Sequence, residues 1–351
     1  MQARFSLLFL SILLCPFVAF AQLGGRFVYS FLNAAPNARG IAYGGSTLAT
    51  RANDLNVAFQ NPALLLPSMH GQATVNYIRF PAGISAGSAA YATQTKKAGT
   101  WLFGMQYFNY GTFKMADETG QVTGTFHAAD YNFQAGTNRQ FKRLYVGANM
   151  KFIYSTIERY NSFGIAADVG STYQKSDTSR FVATLLIRNA GVQLKAYNNV
   201  REPLPFQIQL GVSKQLAHMP FRYFLLLNNL QRYDITYINY NAAGLQTDLT
   251  TGEPIVKKPG IPEKLMRHVV LGGEFLFSKN FNLRLGYNYQ HRREMVLDKK
   301  GGLAGFSWGV GIKVSKLQFS YGGATYTPGV YNSNFSLVTQ LSDWKKERNK
   351  K

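Results

Sequence analysis

Phe281-Asn282-Leu283-Arg284-Leu285-Gly286-Tyr287-Asn288-Tyr289-Gln290 alternates apolar and polar residues without a break. In an extended chain successive side chains point to opposite faces, so this run is a strand with one apolar and one polar face. A second run follows. Phe306, Trp308, Val310, Ile312 and Val314 share one face, and Ser307, Gly309, Gly311, Lys313 and Ser315 the other. The polar faces are rich in glycine and carry Arg284 and Lys313; the apolar faces are bulky and aromatic. Strands of about ten residues with this pattern mark a membrane β-barrel, lipid outside and a polar lumen inside. A soluble β-sandwich or lipocalin-like barrel shares the alternation, so this hairpin alone leaves both open. On the membrane reading Leu285 faces lipid. Asn288 faces the lumen, where Asn288→Arg should be mild.

The start of the chain favours export. Arg4 is a basic n-region, Phe5 to Val18 an apolar h-region, and Ala19-Phe20-Ala21 an A-x-A cleavage site. The expectation is a signal peptide over 1–21, cut after Ala21. Cys15 lies between Leu14 and Pro16, poor surroundings for lipidation, and it leaves with the signal. The mature chain then has no cysteine for a disulfide or thiolate metal site. Beyond the signal no apolar run reaches the roughly eighteen residues of a membrane-crossing helix. The net charge of +21 could suggest nucleic acid. An exported chain with no compact basic motif argues against that, and for lumen charges or contacts to anionic lipid.

From His70 onward the strand-like segments are 70–79, 86–94, 99–109, 122–138, 143–155, 161–174, 179–189, 205–215, 221–230, 266–277, 280–290, 304–315, 316–325 and 333–342. Their number is even, as in single-chain bacterial barrels. Connections alternate between short, such as Arg139–Lys142 and Ser315–Lys316, and long, such as Gly111–Gln121, Ala190–Leu204, Gln231–Leu265 and His291–Leu303. Outer-membrane barrels have short periplasmic turns and longer outer loops. The expected fold is therefore all-β, a transmembrane antiparallel β-barrel of about fourteen strands with an N-terminal plug segment. Its parts are the signal peptide 1–21, the plug 22–67, the barrel 68–342 and a charged C-terminal tail 343–351. The longest loop, 231–265, holds Tyr233, Tyr237 and Tyr240, which suit a protein-binding surface.

Residues 22–67 are not strand-like. Small residues dominate, and Asp54, Asn56 and Asn61 can cap short turns, while Asn61-Pro62 starts a turn or short helix. Within it, Gly25-Arg26-Phe27-Val28-Tyr29-Ser30-Phe31-Leu32, Ala38-Arg39-Gly40, Gly44-Gly45 and Asp54-Leu55-Asn56-Val57-Ala58-Phe59-Gln60-Asn61-Pro62-Ala63-Leu64-Leu65 carry a family resemblance. They resemble the N-terminal signature of the fatty-acid-transporter-like outer-membrane proteins of the Bacteroidetes type IX secretion system, the PorV and PorQ families. The form is most similar to PorQ, and Asn189-Ala190-Gly191 resembles both.

The resemblance implies an outer-membrane, non-enzymatic component of the attachment complex. It would anchor a PorZ-like surface protein, alongside PorU and PorV, near outer-membrane lipid and lipopolysaccharide. Two alternatives stand beside it: a PorV-like shuttle that binds cargo C-terminal signals, and a channel for hydrophobic molecules. A channel needs a greasy pocket behind the plug, for which Phe27, Phe31, Leu32 and Phe59 are candidates. The chain departs from the usual barrel ending, since Leu341-Ser342-Asp343-Trp344 runs on into a charged tail; Trp344 is expected to be the interfacial aromatic.

No catalytic or cofactor pattern emerges. His70, His127, His218, His268 and His291 lie on separate segments without zinc spacing, and there is no Gly-x-Ser-x-Gly or phosphate loop. No cofactor, metal or nucleic acid is expected. His268, Arg267 and Glu274 read as a structural lumen group, and Asp168 as a lumen charge matched to a Lys or Arg.

Overall fold

The computed structural model describes residues 27–47, 49–95, 99–176, 180–236, 259–295, 302–327 and 330–348. The signal peptide and Tyr237 and Tyr240 lie outside the described residues. Fourteen strands follow one another: β1 (Gln72–Arg79), β2 (Ser85–Thr95), β3 (Gly99–Ala116), β4 (Val122–Phe141), β5 (Leu144–Ile157), β6 (Tyr160–Tyr173), β7 (Phe181–Lys195), β8 (Gln207–Gln215), β9 (Phe221–Leu227), β10 (Val269–Phe275), β11 (Phe281–Asn288), β12 (Phe306–Val314), β13 (Leu317–Thr327) and β14 (Val330–Gln340). Each pairs antiparallel with its neighbours, and β1 pairs with β14 from Gln72↔Gln340 to Arg79↔Ser333, so the barrel is closed. Closure leaves no sheet edge to meet lipid, where an unpaired backbone group costs several kcal/mol.

The alternation orients the wall as the sequence implies. Leu285 is 47% exposed while Arg284 beside it is 0% exposed, and Phe306, Trp308, Ile312 and Val314 all face outward. Outward rings form ladders across neighbouring strands. Tyr107, Tyr131, Tyr154 and Phe163 run across β3 to β6 at centroid spacings of 4.9, 6.0 and 4.8 Å. Near the short-turn end Phe221, Phe275, Phe277 and Phe281 do the same at 4.5, 5.8 and 5.7 Å. Aromatic girdles bounding an apolar band are what a membrane barrel presents to the two interfaces. Trp344, half exposed in the helix Leu341–Arg348, joins the short-turn end with the Lys316 amine 4.9 Å above its ring.

Several expected loops prove regular. Gly111–Gln121 is mostly strand: Phe113 stacks on Phe126 at 5.1 Å, and only 117–121 turn, held by the Asp117 carboxylate accepting from the Thr119 and Gln121 amides. The strand expected to end at Asn189 runs on to Lys195 through a bulge, with Asn189 at φ 54° and the register shifting opposite Asp168. Strand β11 stops at Asn288, whose side chain accepts the His291 amide and starts the helix Tyr289–Glu294. The long loop ends in a second short helix, Ile261–Met266, with Pro262 in its first turn.

The described residues of 27–66 lie mostly inside the barrel. The helix Ala38–Ala42 packs on β11 to β14, the helix Leu55–Gln60 on β1 to β3, and the turn Pro62–Leu64 on β4 to β6. Asp54 caps the second helix through the Asn56 amide at 3.0 Å, and Asn61 caps the turn through the Ala63 amide at 3.1 Å. Asn56 does something else: its Oδ1 accepts from Thr74 and Asn76 on β1, tying helix to wall.

Candidate functional site

The N-terminal segment is held in the lumen by buried apolar side chains, Phe31, Leu32, Leu55 and Phe59 among them, and also through its backbone. Inward wall residues reach its carbonyls: Ser88 to Pro36 at 2.8 Å, Arg188 to Leu32 at 2.9 Å, Gln134 to Phe59 at 3.0 Å, Ser307 to Ala42 at 3.1 Å and Asn288 to Gly44 at 2.9 Å. Buried carbonyls without such partners would each cost about 1–3 kcal/mol. The wall thins where the backbone comes closest. A Cβ at Gly322 would collide with the Ala38 carbonyl, and one at Gly286 would sit 2.7 Å from the Ala42 oxygen. The glycine-rich polar face read from the sequence is the bed of this segment.

One carboxylate gathers three arginines across that interface. Glu274 on β10 takes Arg284 of β11 at 3.0 Å, Arg222 of β9 at 3.1 Å and Arg39 of the lumen segment at 3.4 Å. Arg39 also meets Asp54 at 2.9 Å. Strand pairing sets the wall part, because Glu274 sits directly across from Arg222 on one side and Arg284 on the other. A second buried pair, Lys151–Asp168 at 2.7 Å, supplies the match expected for Asp168; the Asn189 side chain also accepts from that amine.

Glu274 belongs to this cluster and not with His268. His268 instead lies against the carbonyls of Asn228 and Tyr233, at 2.7 and 3.2 Å, and pins the base of the long loop. The Arg39–Glu274 pair escapes sequence reading because its two members lie more than two hundred residues apart. The one available signal is a lone arginine in a stretch of small residues.

The outer rim is a second candidate region. Tyr233 is 57% exposed at the start of the long loop, with the Lys264 amine 5.8 Å from its ring centre. Lys264 pairs with Asp234 at 2.6 Å. Glu263 accepts from Arg293 and from the Tyr289 hydroxyl, both at 2.7 Å, and meets Arg267 at 3.3 Å. Partial burial pushes the Asp234 carboxyl up, but Lys264 and the Thr236 hydroxyl and amide outweigh it and hold the group at about 2. Burial alone pushes His291 down to about 4, so it is neutral at pH 7. A cavity of about 310 Å³ opens beside it, bordered by Arg188, Gln209, Asn228, Gln231 and Glu294.

Of the residues proposed for a greasy pocket, Phe31 and Leu32 pack with Ile78, Phe108 and Ile153, and Phe59 with Leu102 and Leu64. They fill space; only Phe27 borders the outer cavity. Among the described residues no group of three His, Cys, Asp or Glu side chains converges to hold a metal ion.

The chain is similar in shape to the Ralstonia pickettii toluene transporter TbuX, with 13% identity and a TM-score of 0.49 over 89% of this chain and 100% of that one. It is similar to the monoaromatic hydrocarbon channel CymD, at 13% identity and a TM-score of 0.46, over 89% of this chain and 97% of that one. A Pseudomonas aeruginosa FadL homologue matches at 10% identity and a TM-score of 0.46, over 87% of this chain and 98% of that one. No protein-family model matches the chain, and no curated protein matches it.

Proposed function

We propose that this chain is an outer-membrane platform of the type IX secretion attachment complex, most similar in role to PorQ, holding a PorZ-like surface protein. What carries the reading is the occupied lumen: a segment bonded to the wall around its circumference, with its apolar side chains packed. A barrel filled this way is a rigid support for its outer loops. The described residues of the motifs that resemble the PorQ family are among those that fill it. The role is one of binding and anchoring, not catalysis, with PorU and PorV as further partners and lipopolysaccharide as surroundings. The long loop, with Tyr233, Tyr237 and Tyr240, is the proposed docking surface, since long loops on rigid barrels carry recognition.

The test replaces 237–258 with a short Gly-Ser linker, leaving Asp234 and the helix Ile261–Met266 in place. Loop length has a weak entropic effect on folding, so the barrel should insert at its normal level. The surface partner should move from cells to medium. Normal retention at a normal barrel level rejects the loop as the docking surface. Co-purification of many cargo proteins in place of one stable partner would favour the shuttle role.

A second reading, a conduit for hydrophobic molecules, has one observation in its favour. Strand β8 begins at Gln207, opposite Arg188, so 189–195 of β7 pair with β6 alone. Val192 there is 56% exposed. An exit through the wall at that point would let labelled fatty acid enter liposomes containing the purified barrel; uptake equal to empty liposomes rejects it.

A further inference from the structure

Arg188 on β7 is 5% exposed and has no ion-pair partner among the described residues. Its Nη2 donates to the Leu32 carbonyl at 2.9 Å, and its Nε is buried with no hydrogen-bond partner. Asp168, which accepts the Asn189 amide one residue along, is already held by the Lys151 amine at 2.7 Å. Lys151 and Arg188 thus face one carboxylate, and one positive charge is left over. A guanidinium keeps its proton in a protein, so that charge persists, and away from water it is costly without a partner.

Arg188 borders the outer cavity of about 310 Å³. The cavity lies at the outer mouth: Arg188 faces Gln207 where β8 begins, and Asn228 and Asn229 follow the end of β9. Its wall is rich in amides, with Gln207, Gln209, Asn228, Asn229 and Gln290 among them. Gln209 Oε1 and Asn228 Oδ1 are buried without a hydrogen-bond partner, as Arg188 Nε is. Glu294 is the one carboxylate among the described lining residues; it accepts from Gln290 at 3.0 Å and lies 3.6 Å from Arg267. Its charge is engaged on the rim and not by Arg188.

Water can supply the missing hydrogen bonds but not the missing negative charge. We propose that this cavity binds a small hydrophilic carboxylate that carries hydroxyl groups, in its simplest form a sugar acid, entering from the outer side. The carboxylate answers Arg188, since a guanidinium fork matches two carboxylate oxygens. The hydroxyls donate to the Gln209 and Asn228 oxygens, and amide side chains suit groups that both give and accept hydrogen bonds. The volume equals that of about ten waters, room for one sugar ring. A fatty chain in the same place would take water from the amides and return no hydrogen bond. The site is therefore distinct from a conduit for hydrophobic molecules.

The test titrates glucuronate into the full-length barrel in neutral detergent at pH 7 by calorimetry, with glucose and octanoate as comparison ligands. Glucuronate should saturate one site. Glucose lacks the charge and octanoate the hydroxyls, so each should bind at least about tenfold more weakly. Arg188→Gln should lower glucuronate affinity about tenfold or more, the loss of one charge-assisted contact. That variant also disturbs the Leu32 contact, so Gln209→Glu is the second. Gln209 lies two residues from the strand partner of Arg188 and is buried on the same inward face, so the new carboxylate supplies the missing counter-charge from within. It should lower glucuronate affinity by at least the same factor while the unboiled-gel melting temperature holds or rises. No saturable glucuronate binding at ~10 mM, glucose or octanoate binding as tightly, or an unchanged affinity in Gln209→Glu overturns the proposal. An oligosaccharide ending in glucuronate separates the sources: displacement of bound glucuronate assigns the site to a surface polysaccharide, and no displacement to a soluble sugar acid.

Discussion

Glu274 and Glu263 each collect arginines, one inside the barrel and one on its outer rim. Glu274 and Arg284 are sealed from water, whereas Arg293, which pairs with Glu263, has 52% of its side chain exposed. The chemistry is the same and the consequences differ. Water screens the rim cluster and leaves it worth little, while the inner cluster cannot lose one member without stranding the others. The inner cluster therefore ties the lumen segment to the wall, and the rim cluster holds the two ends of the long loop only weakly.

The largest expected effect tests the inner side of this contrast. Glu274→Gln leaves the buried Arg39 and Arg284 and the partly buried Arg222 short of a counter-charge and should destabilise the barrel by about 3–5 kcal/mol. Heating before unboiled electrophoresis measures it, and an unchanged transition would show that the cluster is no tie. Leu285→Arg comes next, at about 2–4 kcal/mol near mid-bilayer, read as reduced assembly into vesicles. Asn288→Arg, which sequence alone makes mild, should also disturb folding, because the structure uses Asn288 to hold Gly44 and to cap the next helix. Tolerance of Asn288→Arg would mean that the lumen segment is not packed there.

Gly322→Ala should cost about 1–3 kcal/mol by overpacking. Its added methyl displaces Ala38, so proteases should reach 27–69 in the variant while strand content by circular dichroism is kept. The smallest effect lies on the rim. Asp234→Asn should cost only about 0.2–1 kcal/mol, as exposed pairs do. Its carboxyl is lower in the folded than in the unfolded chain, so its stabilisation is complete above about pH 4 and fades as pH falls toward about 2. Loop proteolysis across that range should rise in the parent and stay flatter in Asp234→Asn. A rim that proves as costly to break as the Glu274 cluster would erase the distinction.

Strand order, number and facing are legible in the amino-acid sequence, because each strand carries its own alternation: Leu285 out and Arg284 in needs no distant partner to be read. Asp54 and Asn61 are legible as caps for the same reason, since their bonds reach only two residues along. The outer hairpin reads as a loop in the sequence because glycine and charge around Gly111 and Asp117 look like a turn. The Phe113–Phe126 contact that makes it a strand pair forms only across the hairpin.

What the chain alone determined is thus the local pattern: a barrel of membrane-facing strands preceded by a segment that cannot be strand. Only the tertiary structure decided what the inner face is for. Glycines and polar residues facing inward are compatible with a watery channel or with a packed lumen, because period-two alternation records which way a side chain points and not what it meets. Gly322 under Ala38, Asn288 on Gly44 and Glu274 among Arg39, Arg222 and Arg284 close that choice, since each contact joins residues that come together only when the barrel shuts around its own N-terminal segment.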